Sequence, residues 1–485
     1  MRNSLKLPGF SQRFDAPALG FLGFLASFMG SWIPPLWADE VATIVAARRS
    51  LGELLAMLQS VDAVHGLYYL YMHSWGALFG FSDISVRFPS AIAIGLACYG
   101  TVRLGSRRGS RYVGCMAGVV LAVLPRMVWA GSEARQYAFT AAMMVALILL
   151  LDRAWRRGRR MDWAAYILVA VVGIHLFMFF ALAVVSLAIA AIAARRRPWA
   201  TAISSMLAVL ASLPFMFFVT TQKAQVSWIP EQPFLQHLGA FAARQFFFIN
   251  AEDRPGAGND QPIAVIVSVA ILGILLTAMA CAGIVNGLRQ EKYRPLLAVV
   301  LSVLVVPISC VLIVSALIQP VYVLRYLTFI APAFALLVAL GADLLRSQSR
   351  QLVPAVIAVI VICSLVPQLT IKTLVKDEMS GIAESLSENL RPTDNIFYDW
   401  SWAKIIHPVA IEGVNDLSMD RSPVETGSLW GTLKPMAGVD FAHRGRVWVV
   451  GQRDAMDVSR LLAAGCQQQE RVVSDDLVLV RFDCP

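Results

Sequence analysis

From residue 16 to residue 374 the chain alternates apolar runs with short polar breaks rich in arginine, and beyond that point it turns polar. Eleven runs approach the roughly 20 residues that a helix needs to cross a hydrocarbon core of about 30 Å. They lie at 16–37, 87–103, 112–130, 136–152, 163–176, 178–194, 199–220, 263–286, 295–317, 325–345 and 352–374. Lipid offers a bare backbone no hydrogen-bond partner, so these runs predict transmembrane helices. Residues 163–194 are too long for one untilted crossing, and two helices are expected there. The first run has no small-residue cleavage site behind it and is read as a retained span, not a signal peptide.

The break at 38–86 is too long for a plain connector and too apolar for a disordered one. Apolar positions recur at helical spacing over 42–59, which predicts a helix lying along the membrane surface. The aromatic stretch 67–80 predicts a second interfacial helix. Beyond 374, helical stretches at 377–390, near 402–411 and at 454–464 alternate with the β-like runs NIFYDW, RVWVVGQ and DLVLVRF. That alternation predicts a small α/β domain. The expected organisation is an all-α polytopic membrane domain over 1–374 and a soluble α/β domain over 375–485.

Composition agrees with this reading. The chain is 58% hydrophobic and only 15% charged, where soluble chains carry about a quarter charged residues. A net charge of +9 raises the question of nucleic acid. The arginines instead sit in clusters between apolar runs, at 107–111, 153–160 and 195–197, as topogenic cytoplasmic loops do. With the N-terminus in the cytoplasm, every basic loop falls inside. The outer loops then hold Asp39, Glu40, Asp62, Glu133, Glu231, Glu252 and Asp253, and the tail lies outside. Five of the seven cysteines sit in apolar runs without metal-ligand spacing. The other two, Cys466 and Cys484, are placed to form a disulfide if the tail is extracytoplasmic.

Candidate chemistry collects at the outer ends of spans. Asp39 and Glu40 follow WIPPLWA at headgroup depth, where Asp39 either accepts a proton from an acceptor hydroxyl or caps the helix that follows. Asp62 and His65 either orient substrate or a metal, or form a cap and polar turn. Glu133, Arg135 and Tyr137 come within five positions, where an acid can steer a guanidinium onto a phosphate. Arg325 breaks the positive-inside rule, so it either binds phosphate or snorkels as an anchor beside Tyr322 and Tyr326. In the long loop 221–262, Arg244 is a further phosphate candidate, with Lys223 and Trp228 as weaker substrate contacts. His73, His175, His407 and His443 show no ligand spacing and are read as structural.

The segments WADEVATIVAARRS, DAVHGLYYLYMHSWGALFGFSDISVRFPSAIA and SEARQYA resemble the GT-C glycosyltransferases. The resemblance covers most of 14–345 and is greatest to the branch of protein O-mannosyltransferases and the aminoarabinose lipid A transferase, with their actinobacterial mannosyl- and arabinosyltransferase relatives. It implies a polyprenyl-phosphate sugar as donor, in keeping with the lack of a DxD motif. It also implies an extracytoplasmic site, inversion at the anomeric carbon and an essential first-loop aspartate at Asp39. The cofactor expectation is open: none is certain, and a divalent ion would have to use Asp39, Glu40, Asp62 or His65. This chain has HGLYY where many relatives have an HPPLYY-like segment, so Gly66 departs from the family pattern. The expected activity is transfer of mannose or arabinofuranose to a glycan, glycolipid or protein, in the plasma membrane and without nucleic acid. Arg325, Arg244 and Arg135 would hold the donor phosphate. The alternative is a transporter or flippase of a lipid-linked sugar; against it, no internal repeat is visible and the acids lie at the surface.

Overall fold

A computed structural model describes residues 13–229, 231, 236, 244–247, 262–371, 378–400, 403–404, 414–474 and 477–485. His237, Glu252, Asp253, His407 and nearly all of the helix expected near 402–411 lie outside these residues. By its internal contacts the chain forms two compact units, 1–31 with 87–372, and 32–86 with 373–485.

The first unit is helical, and each of the eleven expected spans contains a helix. Among the described residues, seven helices are long and apolar enough to cross a membrane, or eight with one bent pair. Asp15–Phe28, Arg160–Leu176 and Phe180–Ala193 are shorter. The first span was expected to reach residue 37, but its helix stops at Phe28. Gly30 takes a positive φ of 77° just beyond, and Pro34 and Pro35 follow. The helices expected at 163–176 and 178–194 are separate, broken at Phe177, which is extended. The third span bends by 63° between Arg111–Val123 and Pro125–Gly131. Pro125 has no N–H to continue the helical ladder. The Val123 carbonyl beside the break accepts a hydrogen bond from Gln368 Nε2 at 2.9 Å, as a freed backbone group at membrane depth requires.

Small and polar residues bring these helices together. Ile263–Arg289 packs against Ala331–Gln348 backbone to backbone: a Cβ on Gly283 would lie 2.0 Å from the Leu337 carbonyl oxygen, and one on Gly341 would lie 1.9 Å from that of Met279. One turn along, Asn286 Nδ2 donates to the Leu340 carbonyl at 2.7 Å. The arginine clusters also pair with buried acids. Buried Asp152 is paired by Arg108, by Arg156 at 3.2 Å and by Arg107 at 3.6 Å. Arg153 pairs with buried Asp162 at 2.5 Å.

In the second unit the stretch 42–59 is two helices, not the single one expected: Ala38–Ala47 and Leu51–Ser60. Ser50 starts the second helix with a capping box. Its hydroxyl accepts the Glu53 N–H, and the Glu53 carboxylate accepts the Ser50 N–H at 3.0 Å. The aromatic helix spans Gly66–Phe79, close to its expected bounds. The tail carries strands β1 (Asn395–Tyr398), β2 (Asn415–Asp416), β3 (Met419–Arg421), β4 (Thr432–Leu433), β5 (Arg446–Gln452), β6 (Gln467–Ser474) and β7 (Leu477–Asp483). Five form one sheet in the order β2-β1-β5-β7-β6, parallel from β2 to β5 and antiparallel beyond.

Alternate residues of these strands face two cores. Ile396, Tyr398, Trp448 and Val450 pack with Ile382 and Leu386 of the Glu378–Asn389 helix. Phe397, Val447, Val449 and Phe482 pack with Phe441 and Leu461. Cys466 and Cys484 are joined by a disulfide within that second core. Of the helix expected at 454–464, only Ser459–Ala463 is helical.

The Gly283–Gly341 contact leaves no space for a side chain. Gly341→Val is expected to destabilise the membrane unit by about 1–3 kcal/mol or more, read as a lowered thermal midpoint of the purified protein in detergent.

Candidate active site

Asp39 and Glu40 occupy the second and third positions of the Ala38–Ala47 helix, whose N-cap is Trp37. The cap role that competed with a chemical role for Asp39 therefore falls elsewhere. Glu40 is fully buried, and its Oε2 accepts the Trp37 N–H at 3.3 Å. Asp39 is half-buried, and its backbone carbonyl accepts the Thr43 hydroxyl at 3.1 Å. Both carboxylates are favoured at a helix N-terminus by the partial positive charge there.

Asp62 has left-handed backbone, with φ of 58°, and makes no side-chain cap bond to the short Ala63–His65 turn that follows. Its Oδ2 instead accepts the Tyr69 hydroxyl at 2.8 Å. His65 is buried, with its ring 5.8 Å from that of Tyr69. Among the described residues no three His, Cys, Asp or Glu side chains gather as a metal site would require. The four donors considered for a divalent ion do not form such a set, and no step is assigned to one. His73 is structural, its Nδ1 2.9 Å from the Ala47 carbonyl.

In the membrane unit, Glu133, Arg135 and Tyr137 are all buried in the turn that leads into Tyr137–Arg157. The Ser90 hydroxyl donates to the Arg135 carbonyl at 3.3 Å. Tyr137 stacks on Tyr326 at 6.2 Å and meets the edge of Phe177 at 5.8 Å. Arg325 lies in the 3₁₀ segment Leu324–Ile330, which opens the tenth span before its α-helix begins at Ala331. It is only 5% exposed, unlike a snorkelling anchor, whose charged head reaches water. Its guanidinium carbon lies 5.5 Å from the Trp228 ring and 5.8 Å from that of Tyr326. Lys223 is exposed on the turn Lys223–Val226 and stands outside this group.

A hydrogen-bond joint ties the segment bearing Arg244 to the segment bearing Arg325. Gln245 Nε2 donates to the Leu324 carbonyl at 2.9 Å, and the Tyr322 hydroxyl donates to Gln245 Oε1 at 3.3 Å. Arg126 completes the joint: its Nε donates to the Gln245 carbonyl and its backbone N–H to the Phe246 carbonyl, both at 3.3 Å. Arg126 and Gln245 are each fully buried. So is Arg87, whose Nη1 donates to the Ser31 carbonyl at 2.6 Å, beyond the end of the first helix. The sequence reading took Arg126 and Arg87 as parts of spans and passed over both. A lone arginine after a proline inside an apolar run, as in VLPRMVW, was the available signal.

A family model described as dolichyl-phosphate-mannose-protein mannosyltransferase matches residues 65–221. Comparison with curated proteins finds none that matches. Among solved structures, ArnT from Cupriavidus metallidurans in the apo state is 13% identical, with a TM-score of 0.57 over 96% of this chain and 97% of that one. ArnT from the same organism bound to undecaprenyl phosphate is 12% identical, with a TM-score of 0.58 over the same shares. The archaeal oligosaccharyltransferase AglB from Archaeoglobus fulgidus, in complex with an inhibitory peptide and a dolichol-phosphate, is 11% identical, with a TM-score of 0.54 over 91% of this chain and 69% of that one. The chain thus has the GT-C fold, and the expected likeness to the O-mannosyltransferase and aminoarabinose transferase branch stands.

Arg126→Leu removes the donor to the Gln245 carbonyl. A buried acceptor left without its partner costs about 1–3 kcal/mol. The variant is expected to melt earlier in detergent and to admit protease into 244–247 sooner than wild type.

Proposed function

We propose that the chain is a membrane glycosyltransferase that moves a monosaccharide from a polyprenyl-phosphate carrier to a glycan, glycolipid or protein acceptor. The fold carries this reading: nearly the whole chain matches ArnT, and one ArnT structure is bound to undecaprenyl phosphate. Mannose and arabinofuranose are the proposed sugars, and the description of the family model supports mannose. The first loop and the tail work outside the cytoplasm, as the charge asymmetry of the loops suggests.

Asp39 is the proposed base. It takes the proton of the acceptor hydroxyl as that oxygen bonds to the anomeric carbon. The bond from that carbon to the phosphate oxygen breaks, its electron pair leaves with polyprenyl phosphate, and the anomeric centre inverts. Glu40 positions Asp39 by holding the start of the helix through Trp37. Arg325 carries the leaving phosphate, with Arg244 held in place through Gln245, and Arg135 is a further cation for it. To speed the step these cations must hold the phosphate more tightly as it leaves than while it is esterified. Asp62, His65, Glu133, Tyr137 and Trp228 are the proposed substrate contacts, and Lys223 stays a weaker one.

The test is transfer from radiolabelled polyprenyl-phosphate mannose or arabinose by protein purified into lipid, with membrane extract as acceptor. Asp39→Asn is expected to lower kcat by about 10²–10⁴-fold with donor binding retained. Arg325→Met is expected to lower kcat/KM for the donor by about 10- to 100-fold, matching the loss of a charge-assisted hydrogen bond. Wild-type protein that transfers neither sugar while labelled lipid crosses between leaflets would make it a transporter.

A further inference from the structure

Within the second unit, the first-loop helices and the tail border an open cavity of about 360 Å³. That is near the small end of small-molecule sites, about 300–1,000 Å³. Its charged walls are Arg48, Arg49 and Glu53 from the first loop and Lys404 and Asp416 from the tail, with Trp430 beside them. Val424, Leu429 and Met419 supply apolar surface.

Several of these residues are held by contacts within the unit. Arg49 is buried, and its Nη2 donates to the Ser428 carbonyl at 2.5 Å, which joins the helix to the 422–431 loop. Burial lowers the pKa of that guanidinium, and Glu53 opposes the shift. The Glu53 carboxyl lies below its usual range because the Ser50 hydroxyl and N–H bond to it. Lys404 is buried and pairs with Asp416 at 2.9 Å. The 422–431 loop holds its own shape. Ser422 and Glu425 form a capping box, the Gly431 N–H donates to Ser428 Oγ at 2.9 Å, and Gly427 and Gly431 take positive φ of 57° and 76°.

The walls therefore carry charges of both signs, with Lys404 and Asp416 ion-paired, beside an indole and aliphatic surface. Carboxylates and cations of both signs present acceptors and donors side by side without demanding a strongly charged guest. The indole face and methyl groups want an apolar one. A sugar ring has both: a face of C–H groups and a rim of hydroxyls that donate and accept. We propose that this cavity is a saccharide subsite that holds a sugar unit of the acceptor. The word acceptor rests on the transferase reading; saccharide binding does not.

The test uses the full chain in lipid nanodiscs without donor, with mannotriose and an α-arabinofuranosyl trisaccharide as probes. Binding is read by saturation-transfer NMR and titration calorimetry. Wild type is expected to bind one of them. Trp430→Ala and Val424→Trp are each expected to weaken binding at least tenfold. Val424 is 53% exposed, so the second variant fills the cavity from its solvent side and keeps the fold where Trp430→Ala disturbs it. In the transfer assay Val424→Trp is expected to raise KM for the acceptor and not for the donor. Wild type that binds neither probe, or variants that bind as wild type does, would overturn the proposal. Binding lost in Val424→Trp from a wild type that transfers no sugar would uphold the subsite and sink the transferase reading instead.

Discussion

A polar atom buried at membrane depth must find its partner inside the protein, and the membrane unit is arranged around one place where several do so together. Gln245 sits in a loop between spans yet is fully buried. Its amide reaches the Leu324 carbonyl and its side-chain oxygen accepts from Tyr322, while Arg126 holds its backbone. Arg126 can do this because Pro125 breaks the third span just before it and turns the chain by 63°. Three stretches distant in sequence meet at this one residue, through its side chain and backbone together. The residues next to two of those anchor points are Arg244 and Arg325, the cations proposed for the donor phosphate. The breaks free backbone carbonyls, and neutral amides at Gln368 and Gln245 satisfy those of Val123 and Leu324.

A comparable economy governs the start of the first loop. Trp37 supplies the N-cap position, and Glu40 returns to its N–H. The acid between them is spared that duty. Two adjacent carboxylates of similar chemistry are sorted by one helical register, one inward and structural, the other half-exposed. A turn later the chain breaks at Ser50, where a capping box opens a second helix. That break presents Arg48 and Arg49 at a corner, and Arg49 reaches the tail there.

The apolar runs made the membrane helices legible, because hydrophobic length is what a bilayer selects. The strands NIFYDW, RVWVVGQ and DLVLVRF were legible for a related reason: two buried faces demand near-continuous apolar sequence. Asp39 and Arg325 were legible because charge at those positions needs an explanation. What escaped notice was set by non-local partners. Arg126 and Arg87 looked like blemishes in spans, since nothing nearby says which carbonyl each will meet. Gln245 carries no charge and lies in a loop, so no rule of pattern marks it. The surface helix at 42–59 was missed as two because amphipathic spacing runs on through Ser50, and only the Ser50–Glu53 pair marks the stop.

The glycine contact between Ile263–Arg289 and Ala331–Gln348 has a mechanical meaning. Side chains between two helices act as compressible spacers, and rotamer changes let such helices part or tilt by degrees. Here peptide backbone rests on peptide backbone. Such a pair can pivot about the contact but has no slack there to take up. Any parting of helices in this unit would therefore use other seams, with the glycine pair as a fixed point.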